Sequence, residues 1–284
     1  MPWILLAEAA LCSTLLYLYL HKKTRISLRF LLIDNIGVMV AAALLGYLFA
    51  LLLPAELSGL SYLAIPPLTA GIAFAFTMIR FWRTPRRKIR AAGQEIVSPA
   101  DGNVIYITRV EAGEAPVSIK GKRYSRLSEL TKTHLLDKPC WLVGINMTPF
   151  DVHKNCAPID GRVLLNRHFD GSFLSLKQPE ALSENERNTY VLANDTLVVG
   201  MVQIASRLVR RIDSYVKEGD HVKKGDWLGM IRFGSQVDVI LPVECEVNVK
   251  LGQQIYAGET ILARIDPAAR MQASTQGEAF KALL

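Results

Sequence analysis

Four short runs of this chain gather carboxylates, an imidazole and a hydroxyl in sequence that reads as turns and loops. Ser98-Pro99-Ala100-Asp101-Gly102 sets a carboxylate at a turn feeding a strand, although an Asp-Gly pair taken alone is more often only a turn. Asn146-Met147-Thr148-Pro149-Phe150-Asp151-Val152-His153-Lys154-Asn155-Cys156-Ala157-Pro158 carries one imidazole between prolines, just after a strand-like run, where catalytic groups are commonly displayed. Ser183-Glu184-Asn185-Glu186-Arg187-Asn188 reads as a solvated loop holding a guanidinium. Arg232-Phe233-Gly234-Ser235-Gln236-Val237-Asp238-Val239 places Gly-Ser between two strand-like runs, which a β-bulge at the glycine explains equally well. These residue types suit acid-base chemistry. No CxxC pair occurs, so a zinc or thioredoxin-type centre has no support and no metal site is expected.

The elements that must position these groups follow from composition. Half of the 284 residues are hydrophobic, 21% are charged and the mean hydropathy is +0.22, which excludes an intrinsically disordered chain. Cys12, Cys140, Cys156 and Cys245 are scattered, which excludes a small disulfide-stapled fold. The net charge of +7 comes entirely from the N-terminal third: residues 1–90 hold ten Lys/Arg against Glu8, Asp34 and Glu56, and the remainder holds 23 of each sign. A nucleic-acid binder would spread its basic residues over the folded domain, so no nucleic-acid partner is expected.

Three apolar stretches, Ile4–Leu20, Leu31–Leu53 and Tyr62–Trp82, account for that third. About 20 helical residues cross the hydrocarbon core of a bilayer, so the last two are long enough and the first is marginal. Two or three spans are therefore expected over residues 1–90. The segments His21–Arg29 and Arg80–Arg90 are basic while Pro54–Ser61 has one acid and no base, so both basic segments face the cytoplasm. The catalytic side is then the cytoplasmic face of the cell membrane. The cluster Arg80, Arg83, Arg86, Arg87, Lys88 and Arg90 would also attract anionic headgroups, at roughly 1 kcal/mol each.

Residues 91–284 read as one mostly-β domain. Strands are expected at Asn103–Val110, Trp141–Asn146, Tyr190–Leu192, Leu197–Ile204, Trp227–Arg232, Val237–Leu241 and Ile261–Ile265. The intervals hold turn pairs such as Lys120-Gly121-Lys122, Asp160-Gly161, Asp170-Gly171, Gly219-Asp220 and Gly225-Asp226. One helix is expected around Ser125–Leu136. No βαβ alternation, GxGxxG or GxxxxGK[ST] occurs, so a nucleotide-binding α/β fold is not expected. Glu218–Leu228 resembles the glycine-aspartate hairpin of lipoyl and biotinyl carrier domains, which implies a barrel-sandwich arrangement of strands. A carrier role itself is disfavoured, because no Lys has the Met-Lys-Met flanks and Lys224 lies in the wrong turn.

Taken in order, the four runs resemble the phosphatidylserine decarboxylase family of pyruvoyl-dependent proenzymes, from about Arg80 to Pro267. The resemblance rests on Phe81-Trp82-Arg83-x-Pro85-Arg86, Pro-Ala-Asp-Gly, Phe-Asp-Val-His-x-Asn-x-Ala-Pro, Asn-Glu-Arg, and Phe-Gly-Ser ahead of Val-Asp-Val. It is greatest to shorter members whose membrane spans directly precede the catalytic domain. It implies that the Ser235 hydroxyl attacks the carbonyl of Gly234 and turns the peptide bond into an ester. Elimination then splits the chain, and the residue left at 235 hydrolyses to a covalent pyruvoyl group, the electron sink that an α-amino acid decarboxylation needs. Glycine at 234 tolerates the strained geometry of that attack. The hydroxyl needs a base, and Asp101 and His153 are the candidates in an acid, imidazole and serine order, worth about 10²–10⁴ in rate. In the second stage the substrate amine forms a Schiff base with the pyruvoyl carbonyl, carboxylate leaves as CO2, and His153 handles the returning proton. The basic flank and Arg187 would steer the headgroup phosphate.

The sequence departs from the family in two places. Many members have a second His three positions after the first, where this chain has Cys156, so either His153 serves both stages or His168 assists. Gln236 stands where Ser or Thr commonly follows Gly-Ser. Asp151 is expected to position its neighbours. The implied partners are a phosphatidylserine-type lipid, diacyl or ether-linked, the membrane surface, and the chain's own two cleavage fragments held together; a homo-oligomer stays open. Two other functions stay open as well: a non-processing scaffold of the same fold, and a carrier domain with a modified lysine.

Overall fold

The computed structural model describes the chain except residues 1, 25–27, 112–113, 117–123, 134–137, 173, 177, 179–180, 207–210, 233–234 and 266–284. It divides into two units, one of residues 1–83 with 148–150, the other of residues 84–147 with 151–284.

The first unit is three helices, α1 (Pro2–Thr24), α2 (Leu28–Leu52) and α3 (Leu60–Trp82). Each carries a stretch long and apolar enough to cross a membrane, Pro2–Lys22, Leu32–Leu52 and Leu60–Trp82, so the marginal first stretch matches the other two. Their outward positions are apolar: Leu11, Leu15, Ile33, Leu44 and Phe74 are all exposed, a surface suited to lipid. Leu5, Ala9, Ala42 and Ile65 pack between the helices. Gly46 permits that contact, since a Cβ there would lie 2.5 Å from Ile65 Cδ1. Asp34 is buried, and Arg80 neutralises it, with Nε 2.6 Å from Oδ2 and Nη2 on Oδ1. A charge that would be costly in hydrocarbon is thereby paired within the bundle.

The second unit is built of antiparallel strands: β1 (Glu95–Val97), β2 (Gly102–Val110), β3 (Glu114–Pro116), β4 (Tyr124–Arg126), β5 (Cys140–Met147), β6 (Lys154–Cys156), β7 (Gly161–Phe169), β8 (Arg187–Ala193), β9 (Val198–Ala205), β10 (Ile212–Ser214), β11 (His221–Val222), β12 (Trp227–Ile231), β13 (Ser235–Pro242), β14 (Cys245–Val247), β15 (Gln254–Ile255) and β16 (Ile261–Ile265). Short helices α4 (Leu127–Thr131) and α5 (Ala181–Glu184) interrupt them. An eight-stranded sheet runs β11-β7-β8-β9-β13-β5-β2-β15, beside two three-stranded sheets, β1-β16-β14 and β10-β12-β6, and the β3-β4 hairpin.

The large sheet is covered on both faces. Val237, Val239 and Leu241 join Val143, Ile145 and Met201 in one core, and Ile240 joins Leu142, Val202 and Ile204 in the other. A central strand buried on both sides needs a nearly continuous apolar run, which is how β13 reads. Every expected strand is present, with Ile261–Ile265 at the expected bounds. The helix expected at Ser125–Leu136 is reduced to α4 following β4, with 134–137 outside the described residues. The Lys120–Lys122 turn also lies outside them. Gly219 and Gly225 turn at φ 93 and 89, and Asp220 and Asp226 close the two turns by accepting from the backbone N–H of Lys217 and Lys223, each at 2.8 Å.

Antiparallel pairing brings alternate strand ends to one edge of the large sheet. Across it, Gln254, Asn103, Asn146, Gln236, Ile204, Arg187 and Phe169 form one row in register. The starts of β2, β13 and β8 therefore lie beside the ends of β5, β9 and β7. All four sequence runs meet at that edge because of strand order, although they lie far apart in the chain.

Candidate active site

Ser235 is the first residue of β13, paired with Met147 on one side and Ala205 on the other. Gly234 lies outside the described residues. Just before it, the backbone N–H of Ile231, at the end of β12, donates to the carbonyl of His153 at 3.1 Å. The Gly-Ser segment is thus bracketed, since the residue four before Ser235 is bonded to His153 and Ser235 itself is paired with the last residue of β5. His153 is fully buried and its Nδ1 lies 3.0 Å from the Asp151 carbonyl. That carbonyl can only accept, so Nδ1 carries the proton and Nε2 is the basic nitrogen. Asp151 is buried too, with Gln254 Nε2 donating to its Oδ1 at 3.0 Å, which anchors the stretch that orients the imidazole.

Asp101 is 1% exposed, and its carboxylate is shared among three donors. Arg87 Nη2 lies 2.7 Å from both oxygens, the Ala257 N–H donates to Oδ1 at 2.8 Å and the Val152 N–H to Oδ2 at 3.4 Å. The acid and the imidazole are therefore joined through the backbone next to His153, and Asp101 makes no direct hydrogen bond to the ring. Burial pushes the Asp101 carboxyl up, against the opposing pull of Arg87 and the backbone donors. Gly102 makes the close approach possible: its φ is 149, and a Cβ would lie 2.4 Å from the Asn146 carbonyl oxygen. Arg87 is the residue that sequence reasoning missed, being grouped there with the membrane-flanking cations. Of that cluster, Arg86, Lys88 and Arg90 are exposed, whereas Arg80 holds Asp34.

The opposite face of the same edge holds a buried polar group. Tyr106 Oη donates to Asp238 Oδ1 at 2.6 Å, and Gln236 Nε2 donates to the same oxygen at 2.7 Å and to Tyr106 Oη at 2.9 Å. The Tyr106 ring lies over Gly144, where a Cβ would come within 2.4 Å of it. Burial raises the Asp238 carboxyl to about 6 despite those donors. Arg187 is on this face, 1% exposed, and donates to the carbonyls of Asn185 and Leu130 at 2.8–3.0 Å. Burial lowers it to about 10. A guanidinium enclosed in this way ties backbone together and does not lie open to a headgroup, contrary to the loop reading of its run.

His168 is on β7, paired with Asn188, which pairs with Gln203, which pairs with Val237. Three strand spacings are about 14 Å, so the structure does not bring His168 to Ser235. Its Nε2 faces Glu186 and Asp170, at 3.4 and 3.5 Å. Cys156 is buried with Sγ 3.6 Å from the Ser98 carbonyl, and burial, then the Asp101 charge, pushes its thiol to about 12. It stays protonated near neutrality and cannot replace a second imidazole as a base. Lys224 is 8% exposed and its Nζ donates to the Ala92 and Glu95 carbonyls, both at 2.5 Å, which leaves no amine to acylate and counts against the carrier reading.

The phosphatidylserine decarboxylase family profile matches residues 74–263. A protein of Methanocaldococcus jannaschii carrying the archaetidylserine decarboxylase proenzyme name is 40% identical over 185 residues, 65% of this chain and 88% of the relative. The phosphatidylserine decarboxylase proenzyme of Erythrobacter litoralis is 37% identical over 218 residues, 76% of this chain and 84% of the relative. That of Carboxydothermus hydrogenoformans is 37% identical over 195 residues, 68% and 82%. With this match over most of the β domain, the chain belongs to the phosphatidylserine/archaetidylserine decarboxylase proenzyme family of carboxy-lyases.

Proposed function

We propose that this chain cuts itself between Gly234 and Ser235, converts residue 235 to pyruvoyl, and decarboxylates a phosphatidylserine-type lipid at the cytoplasmic face of the membrane. Proenzymes of this family use a pyruvoyl cofactor, whose ketone takes up the electrons freed when CO2 departs. The observation that carries the reading is the bracketing of the Gly-Ser segment: Ile231, before it, is bonded to the His153 carbonyl, and Ser235 is paired with Met147 at the end of β5.

In the first stage His153 Nε2 accepts the Ser235 hydroxyl proton while Oγ forms an ester bond to the Gly234 carbonyl carbon and the C–N bond breaks. Loss of the α-proton then expels the Gly234 carboxylate, and water replaces nitrogen at residue 235 with release of ammonia. Asp151 fixes the imidazole tautomer, and Asp101, held by Arg87, positions Val152 and with it His153. In the second stage His153 moves the proton to and from the reacting carbon. One imidazole serves both stages, since Cys156 is protonated and His168 is three strands away. The surroundings suit the group: Met147 and Ala205, paired with residue 235, and Val237 two residues on are all buried, which keeps water from a reactive ketone. A barrel-sandwich relation to carrier domains is supported by the twin glycine-aspartate turns at 219–220 and 225–226. Three spans put the basic stretch 80–90 at one membrane face. Exposed Arg86, Lys88 and Arg90 would hold anionic lipid there.

Ser235→Ala tests this reading. It should remain one full-length chain that releases no CO2 from phosphatidylserine, while the wild type runs as two fragments. A wild type that stays whole would support the non-processing scaffold instead.

A further inference from the structure

Two neutral amides next to His153 have no part in self-cleavage as described. Asn155, two residues after His153 on β6, and Gln203 on β9 are both fully buried in a largely apolar core. Gln203 Nε2 donates to Asn155 Oδ1 at 2.8 Å. Asn155 Nδ2 is directed at Met147 Sδ, 3.8 Å away, and a thioether is a weak acceptor. Gln203 Oε1 is buried and has no hydrogen-bond partner among the described residues. A buried acceptor left unmade costs about 1–3 kcal/mol, so a protein keeps one where something else fills it.

The register puts this pair beside residue 235. Met147 is directly opposite Ser235 on β5, and Gln203 is opposite Val237 on β9, one diagonal step from residue 235 and on the same face of the sheet. Directly opposed positions are about 5 Å apart and diagonal ones about 7–8 Å. Asn155, bonded to both Met147 and Gln203, therefore spans the ground next to residue 235.

We propose that Gln203 and Asn155 bind the amino-acid end of the lipid headgroup, with Gln203 Oε1 accepting from the substrate amine and Asn155 Nδ2 donating to its carboxylate. This rests on the assignment of residue 235 as the reactive position. Neutral amides fit the chemistry. A cation would hold the substrate carboxylate most strongly before the reaction and lose that attraction as CO2 forms, whereas an amide orients it without deepening the ground state.

The test uses the full-length protein in detergent with phosphatidylserine micelles. Gln203→Met keeps the length and removes both polar atoms, and Gln203→Glu restores an acceptor. Three readouts apply: the fraction cut at 234–235, kcat and KM for CO2 release, and the mass gained by the smaller fragment when cyanoborohydride reduces the product of phosphatidylserine amine with its ketone. The expected result for Gln203→Met is complete self-cleavage, with amine capture and kcat/KM down about 10–100-fold, the worth of one hydrogen bond to a charged group. Gln203→Glu should recover amine capture to within about threefold of wild type on the same reasoning. Should Gln203→Met not accumulate as folded protein, Asn155→Asp, which keeps the acceptor for Gln203 and removes the donor, should show the same split between intact cleavage and weakened capture. Normal amine capture in a cleaved Gln203→Met, or loss of self-cleavage in it, would overturn the proposal. Failure of the wild type to cleave would instead strike the assignment of residue 235.

Discussion

Arg87→Met removes one partner of the ion pair at the centre of the site. Asp101 is 1% exposed and the Arg87 side chain 11%, so the pair is screened from water. Taking away one member of a buried pair leaves an uncompensated charge, at a cost of about 3–5 kcal/mol. The Val152 and Ala257 N–H groups stay in place and offset part of that, so about 3 kcal/mol is expected at pH 8. Burial already raises the Asp101 carboxyl and Arg87 opposes it, so the variant's carboxyl goes higher still. A carboxyl raised on folding adds stability below its unfolded pKa and loses it as pH climbs through the folded value. The deficit of Arg87→Met against wild type should therefore shrink toward pH 5 and grow toward pH 8. Urea unfolding followed by tryptophan fluorescence, run at both values, reads this directly. Arg87→Met/Asp101→Asn should recover most of the loss, because no buried charge remains. A single variant within about 1 kcal/mol of wild type at pH 8, or a double variant no better than the single, would refute the pairing argument.

Three other outcomes follow from the same packing. Asp238 is raised to about 6 from 3.8, so its ionisation costs about 3 kcal/mol once pH exceeds 6; Asp238→Asn should gain stability on wild type between pH 4 and 7, and a constant difference in paired urea titrations would contradict this. Gly144→Ala drives a methyl into the Tyr106 ring and should cost about 1–3 kcal/mol, with most of it relieved by Tyr106→Ala; additive losses in that cycle would argue against the contact. Lys223 is exposed and Lys224 buried, so an amine-acylating reagent followed by peptide mapping should label the first and spare the second, and efficient labelling of Lys224 in folded protein would reopen the carrier reading.

Much of the architecture was readable because burial leaves a plain mark on sequence. The central strands β5, β9 and β13 are covered on both faces and so carry mostly apolar runs, broken only by Asn146, Gln203, Gln236 and Asp238. β7 escaped notice because Arg162, Asn166, Arg167 and His168 occupy its half-buried and exposed positions, which hides the alternation. Of the helix expected around Ser125–Leu136, the described residues show α4, Leu127–Thr131, with Ser125 on β4 before it. At the site, residue types were legible and partners were not. Arg87 sits in a basic run that membrane topology already explains, and nothing local reveals that it turns inward to Asp101. Arg187 looked solvated because its neighbours are polar, yet Asn185 and the distant Leu130 lend it buried carbonyls. Gln203 gave no signal at all, since a single amide within an apolar strand acquires meaning only from what lies across from it.

Intact mass spectrometry of the purified wild-type protein tests the central claim most directly. Self-processing at the Gly-Ser bond predicts two species, residues 1–234 and residues 235–284, whose masses together equal the chain plus one water less one ammonia. A single species at the unmodified chain mass in a preparation that releases CO2 from phosphatidylserine would contradict it.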